Sequence, residues 1–399
     1  MSRGAGSAPT SAQAARAHAE VGSDERRARI AWSRVLESRR ERPSDARPAL
    51  FDDIWSLGHV EAWHRLVDGD LPRCASARAH VAGVDVDAEL ARVARTRSRV
   101  VIPGDADWPA ALSDTDIQPH LLHVRGEGCL ADLGRRAVAV VGSRASTGYG
   151  EAVSRELGAG LAGRGWTVVS GAAFGIDAAA HQGALAVDGP CVAVLPCGPD
   201  RVYPEGNRRL VEAVAERGAV VTELATGTVG MRHRFLARNR LIAALSSVTV
   251  VVEAGLRSGS LNTANWAEHL GRLVGAVPGP VTQMSSAGCH EAIRKGQATI
   301  VTDAGDVLAL ARAIGEGLGE EEVELLGPAR PVDALTSTQR RVHDLLQVRR
   351  GTRADEIATE LVVPLEEVLA DLAAMQLDDW ARQDDLGGWR RGPGPEGRR

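Results

Sequence analysis

Ala137-Val138-Ala139-Val140-Val141-Gly142-Ser143-Arg144-Ala145-Ser146-Thr147-Gly148 is the stretch whose reading decides the fold. Ala137 to Val141 is an unbroken small and β-branched run, the pattern of a parallel strand buried on both faces. It stops at Gly142-Ser143-Arg144, and a helical pattern takes over from Tyr149 to Arg164. A strand entering a helix through Gly, Ser and Arg points bare N–H groups, a hydroxyl and a guanidinium at one spot. That suits a phosphate. A tight turn that binds nothing is the competing reading.

Working outward, the same beat repeats. Trp166 to Ser170 reads as a second strand that ends in Gly171-Ala172-Ala173-Phe174-Gly175 before a helix carrying Asp177 and His181. Cys191 to Leu195, Ala219 to Thr222 and Val248 to Val252 follow, the last leading through Ser258-Gly259-Ser260 into another helix. Leu273 to Val277 and Thr299 to Val301 close the series. Apolar strands alternating with helices predict an α/β fold, a Rossmann-like, doubly wound, mostly parallel sheet. Ligands of such sheets sit beyond the carboxyl ends of the strands. There the polar turns at Gly142, Gly171 and Ser258 would lie together.

A chain of 399 residues predicts two or three domains. Residues 1–23, poor in apolar side chains, read as a disordered tail. Residues 24–98 read as a small helical domain of the SAM or helix-hairpin-helix kind, or as a packing domain without ligand. Val100 to Pro103 and Leu121 to Val124 read as edge strands leading into a Rossmann-like domain over 99–313. A linker rich in Gly, Glu and Pro covers 314–332. Residues 333–393 have the layout of a winged helix: a helix capped at Thr336-Ser337-Thr338-Gln339, two more helices and a hairpin. No Lys or Arg occurs between Arg353 and Arg382, while the helix in the recognition position carries Glu366, Glu367 and Asp371. Those carboxylates repel phosphate, so this module is expected to contact protein rather than DNA.

The net charge of −5 excludes a protein coated in positive charge, and any nucleic-acid contact must be local. Five cysteines without a C-x-x-C pair or a His at zinc spacing predict free thiols and no metal. No secretion signal and no apolar run near the ~20 residues of a membrane span appear, which predicts a soluble, cytoplasmic protein. There is no G-x-x-x-x-G-K-[ST] and no G-x-G-x-x-G after the first strand, so no nucleotide cofactor is expected.

The local positive patch lies between Glu223 and Glu268. Glu253 is the only carboxylate there, against Arg232, Arg234, Arg238, Arg240 and Arg257. Phe235 sits among the arginines, where it can stack on a base or pack as core. Arg238 and Arg240, flanking Asn239, either line a groove or pair with Glu223 or Glu253; one of the two is expected to be structural. Ser258-Gly259-Ser260 caps a helix and can also hold a phosphate. Asp177 and His181 share a helix face, as an acid–base pair or as a packing contact. Lys295, the only lysine, stands at a helix end and can reach a phosphate. Phosphate cradles joined by arginines, with no evident catalytic group, describe a track for single-stranded nucleic acid.

These residues resemble the DprA/Smf family. The likeness rests on Val140 to Arg144, Val169-Ser170-Gly171 with Gly175-Ile176-Asp177 and Ala180-His181, and Tyr203-Pro204 with Asn207. Phe235 with Arg238 to Ala243, Val252-Glu253-Ala254 with Ser258 to Leu261, and Val277-Pro278-Gly279 complete it. The resemblance spans roughly residues 100–312. It implies a homodimer without catalytic activity that binds and protects single-stranded DNA and loads RecA onto it in natural transformation and recombination. It further implies that Gly142, Ser143 and Arg144 hold one phosphate, Ser258, Gly259 and Ser260 another, that Arg238 and Arg240 line the groove, and that Phe235 stacks on a base. Three departures stand out. Phe174 occupies the place of a family arginine, Leu236 that of a proline and His290 that of an asparagine. The loss of the arginine puts one phosphate contact in doubt and leaves Phe174 to stack or to pack.

The alternative is an enzyme, a nucleotide phosphoribohydrolase of the lysine-decarboxylase-like fold. Such enzymes need a glutamate behind a P-G-G-x-G-T turn, whereas here Arg257 to Thr263 is followed by no carboxylate before Glu268. A pure adaptor acting through the winged helix is a third reading.

Overall fold

The computed structural model describes residues 9–38, 49–71, 75–115, 118–315, 335–348 and 350–394. It divides into two units, 1–319 and 320–399.

The first helix, α1 (Ser11–Val21), starts at Thr10, whose hydroxyl accepts from Gln13 N–H while the Gln13 side chain takes the Thr10 N–H. Ala17 and Val21 are buried, and Trp63 Nε1 donates to Ala17 O at 3.1 Å. This corrects the expected disordered tail over 11–21: a capping box and two apolar anchors suffice to dock an alanine-rich helix. The helices α2 (Glu25–Ser38), α3 (Ala49–Leu57), α4 (His59–Asp68), α5 (Ala75–Arg78) and α6 (Val86–Arg95) complete the layer. Its core holds Trp32 and Trp63 edge to face at 5.9 Å, with Ile54 and Leu66, and extends to Ile102 and Leu121 beside the sheet.

The sheet begins with β1 (Ser98–Val101) and β2 (Leu122–Arg125), which are antiparallel. After α7 (Leu130–Leu133) come β3 (Ala137–Val141), α8 (Gly148–Ala162), β4 (Thr167–Ser170), α9 (Ile176–Ala186) and β5 (Cys191–Val194). Then follow α10 (Arg208–Arg217), β6 (Ala219–Thr222), α11 (Arg232–Ala244), β7 (Val248–Val251), α12 (Gly259–His269) and β8 (Leu273–Ala276). The domain ends with α13 (Ala287–Arg294), β9 (Thr299–Ile300) and α14 (Ala304–Gly315). Nine strands lie in the order β1-β2-β6-β5-β4-β3-β7-β8-β9, and every pair from β6 to β9 is parallel.

The alternation expected of a doubly covered strand is complete in β3. Val138 and Val140 enter one core, with Leu157 of α8, Ile176 of α9 and Val211 of α10. Ala137, Ala139 and Val141 enter the other, with Leu241 of α11, Ala264 of α12 and Cys289 of α13. The chain runs outward from β3 to β6 and returns to place β7 on the far side of β3. That reversal opens a crevice at the carboxyl ends of β3 and β7. The Gly142 and Ser258 turns flank it.

The second unit is α15 (Ser337–Leu345), α16 (Ala354–Leu361), α17 (Leu365–Leu377) and the antiparallel pair β10 (Ala381–Gln383) and β11 (Trp389–Arg391). Val342, Ile357, Val368, Leu372, Met375 and Trp389 form its core. α14 reaches Gly315, and the rest of the expected linker lies outside the described residues.

Candidate nucleic-acid interface

The turn after β3 is clasped from below by a carboxylate. Ser143 N donates to Glu253 O at 2.8 Å, joining the ends of β3 and β7. The Glu253 carboxylate, wholly buried, accepts from Thr147 N at 2.9 Å, Thr147 Oγ1 at 2.6 Å and Ser285 Oγ at 3.4 Å. The loop is therefore rigid at both ends. Between them, the N–H groups of Arg144, Ala145 and Ser146 meet no acceptor among the described residues. Consecutive free N–H groups in a turn form an anion-binding concavity.

Arg144 is exposed, with its guanidinium 4.1 Å from the centre of the Phe235 ring. Phe235 is 8% exposed and also meets Tyr203 edge to face at 5.3 Å. Of the two alternatives, stacking or packing, Phe235 is packed in this structure: Arg144, Arg238 at 5.8 Å and Tyr203 surround the ring, and Arg144 rests on it.

Arg238 and Arg240 do not line an open groove, which corrects the expectation for both. Arg240, 6% exposed, grips Glu223 with both Nη atoms at 2.6 Å. Arg238, 4% exposed, donates to Val194 O at 2.5 Å. Burial pulls its guanidinium down to about 10, against the attraction of nearby Asp177. The sequence admitted one structural arginine here. Both are buried in the structure, because residues 238–244 of α11 all pack inward. Asn239 is structural too: its Nδ2 donates to Gly259 O at 3.2 Å and to Asn262 Oδ1 at 3.3 Å, fastening α11 to the start of α12.

The glycines after β4 serve this packing. A side chain at Gly171 would fall 2.0 Å from Arg238 Nη1, and one at Gly175 would fall 2.4 Å from Ser143 O. Gly175 also has φ +78°, a conformation open mainly to glycine. Asp177 and His181 lie beneath. His181 is wholly buried, and burial followed by the Arg238 cation brings it down to about 4, so it stays neutral. The buried imidazole has no route to a solvent-borne substrate.

At the open rim, Arg232 is the exposed first residue of α11, and Arg257 is exposed in the turn before α12; neither has a carboxylate partner among the described residues. Ser258 caps α12, its Oγ accepting from Ser260 N at 3.3 Å and lying 2.7 Å from Ser260 Oγ. Gly259 is exposed at the helix start. Thr263, in the second turn, is buried, and no carboxylate of α12 precedes Glu268. Phe174 stands 51% exposed on the same rim. Arg234 leaves the rim for Glu37 of α2, and Arg34 donates to Thr226 O at 2.8 Å, so the N-terminal helices brace the segment that precedes α11.

Lys295 does not belong to this rim, another correction. It follows the end of α13 and precedes β9, which places it at the amino end of the parallel strands, with Glu291 at 3.4 Å. A helix crossing between parallel strands carries its carboxyl end away from the ligand edge.

Sequence reasoning missed two participants. The first is the clasp of Glu253 on Thr147, announced only by the isolation of that carboxylate. The second is Tyr203, which is 44% exposed beside Phe235 and is one of two tyrosines in the chain. Among the described residues no group of three or more His, Cys, Asp or Glu side chains gathers as metal ligands. Among the same residues no helix is long and apolar enough to cross a membrane.

Residues 99–312 match the family described as DNA recombination-mediator protein A. A putative DNA processing protein DprA from Mycobacterium tuberculosis is 42% identical over 349 residues, covering 84% of this chain and 88% of that one. The protein Smf of Escherichia coli is 43% identical over 211 residues, 52% of this chain and 55% of that one. Among solved structures, the DNA processing protein A of Streptococcus pneumoniae superposes with a TM-score of 0.56 at 32% identity, covering 75% of this chain and 98% of that one. Strands, turns and rim thus occur together with the sequence likeness over the same residues, and the chain belongs to the DprA/Smf family of DNA-processing proteins.

Proposed function

We propose that the carboxyl edge of the sheet holds the sugar-phosphate chain of single-stranded DNA without cutting it, shields the strand, and delivers it to RecA during recombination or transformation. One observation carries the reading: three consecutive N–H groups, at Arg144, Ala145 and Ser146, that meet no acceptor among the described residues, beside the exposed Arg144 guanidinium, which forms no salt bridge among them. Arg232, Arg257 and the start of α12 extend the positive rim, which suits a chain of phosphates rather than a single one. RecA and a second copy of this chain are the partners that family membership supports. The C-terminal unit fits a protein partner, because α17 opens with Glu366 and Glu367. A strand held in the cytoplasm needs no cofactor for any of this.

The test compares oligo-dT with duplex DNA in an electrophoretic series at several salt concentrations. The wild type is expected to prefer the single strand and to weaken steeply with salt; equal or absent binding at low salt overturns the reading. Release of adenine from AMP would favour the phosphoribohydrolase alternative instead. Faster RecA nucleation on strands already coated by the protein tests the delivery step.

A further inference from the structure

The phosphate rim explains affinity for a polyanion but not a preference for unpaired bases. A groove that reads only backbone charge accepts duplex as well. Discrimination needs surfaces that bases can lie on, and Phe235, 8% exposed beneath Arg144, presents little open face by itself.

Two other rings are open. Phe174, 51% exposed, follows β4, and Tyr203, 44% exposed, follows β5, so both stand on the carboxyl edge. They are tied together. Asn207 Nδ2 donates to Ala172 O at 2.9 Å, joining the segment after β5 to the turn after β4. A side chain at Gly206 would come within 3.1 Å of Phe174 Cζ, so the bare glycine leaves that ring its place. Gly230 does the same for Tyr203, where an added Cβ would lie 3.2 Å from the ring. Tyr203 in turn meets Phe235 at 5.3 Å, and Phe235 carries Arg144 at 4.1 Å. Ring contacts therefore run from the Arg144 guanidinium to Tyr203, and the Asn207–Ala172 bond with Gly206 holds Phe174 beside the same segment. Carboxylates nearby are already engaged: Glu205 pairs with Arg208 at 2.6 Å, and Asp200 accepts from Gly227 N at 2.8 Å.

A half-exposed ring on a globular surface is ordinary alone. Two of them, seated against glycines beside an anion cradle, in a chain with only five Phe and Tyr residues, form a built ledge. We infer that Phe174 and Tyr203 are base-stacking residues, which take successive unstacked bases of the strand whose phosphates lie on Arg144. This rests on the single-strand reading above and gives it its selectivity, since stacked and paired bases offer no face to a ring.

The experiment uses the full chain, fluorescein-labelled dT 20-mer, and a matched 20-mer of abasic tetrahydrofuran units, read by anisotropy across a salt series. Wild type should bind dT about tenfold or more tighter than the abasic strand. Phe174→Ala and Tyr203→Leu should each weaken dT binding roughly 5- to 100-fold, leave abasic binding unchanged, and keep the salt slope. Tyr203→Phe, which keeps the ring, should bind like wild type, and this separates stacking from a folding defect. Equal affinity of wild type for the two strands overturns the inference, as does parallel loss of both strands in the variants. Failure of wild type to bind either strand defeats the single-strand reading itself.

Discussion

The Arg144 guanidinium lies 4.1 Å from the centre of the Phe235 ring, and that of Arg238 lies 5.8 Å from the same centre. One aromatic thus has both an exposed and a buried cation as neighbours. The two arginines share a neighbourhood and differ in task, and the predictions turn on that difference.

Replacing Arg144 by alanine should cost binding and little stability. The side chain is exposed and loses only its contact with the ring, so unfolding should shift by about 1 kcal/mol or less. Affinity for oligo-dT should fall, and the slope of log K against log salt should flatten by roughly 0.7 for one lost phosphate contact. Anisotropy titrations between low and moderate salt check both; an unchanged slope would place the phosphates elsewhere.

Arg240→Ala should do the reverse. Removing one partner of the buried pair leaves the Glu223 carboxylate uncompensated, at a cost of about 3–5 kcal/mol. Urea unfolding measures this directly. Replacement of both residues, Arg240→Met with Glu223→Met, should recover much of the loss, because no lone buried charge remains.

Glu253→Ala should loosen the turn after β3. It strips the half-buried Thr147 N–H and hydroxyl of their acceptor, a cost of about 1–3 kcal/mol in all. Backbone amides of residues 143–147 should then exchange with deuterium faster than in the wild type, and oligo-dT affinity should fall although no contact residue has changed.

Acidification should destabilise the fold between about pH 6.5 and 4. Burial is the first cause holding His123 and His181 down to about 4, His120 to about 3 and His59 to about 2. Their folded values lie below the ordinary 6.5, so the unfolded chain binds more protons in that window and stability falls with pH. His343, lowered by burial as well, adds to the same trend, while Asp177 and Glu37, both raised by burial, act with the opposite sign. Urea midpoints at pH 7.5, 6 and 5 should decline in that order, and His181→Asn should flatten the decline; a level profile contradicts the argument.

Deleting residues 333–399 should leave affinity for oligo-dT within about twofold, since an acidic α17 adds no phosphate contact. A loss of tenfold or more would assign that unit to the DNA.

The strands from β3 to β9, the helices between them and the three helices and strand pair near the carboxyl end were legible in the sequence, because burial on two faces demands runs such as Ala137 to Val141 and turns such as Gly142-Ser143-Arg144. α1 was legible in principle, through Thr10 and Gln13 at capping-box spacing, and was obscured by its alanine-rich composition. The polar turn after β3 and the Ser258 cap could be named for the same reason: their backbone chemistry is local. What each arginine of α11 does was decided only in three dimensions. Packing of α11 on the sheet sets which side chains point inward, and Glu223 after β6 and Val194 of β5 arrive from separate segments to receive them. Lys295 shows the same limit, since the crossing direction of α13 carried the only lysine to the opposite end of the sheet. Local pattern determines elements and turns. Partnership, burial and the side of the sheet on which a charge emerges depend on contacts between residues far apart in the chain.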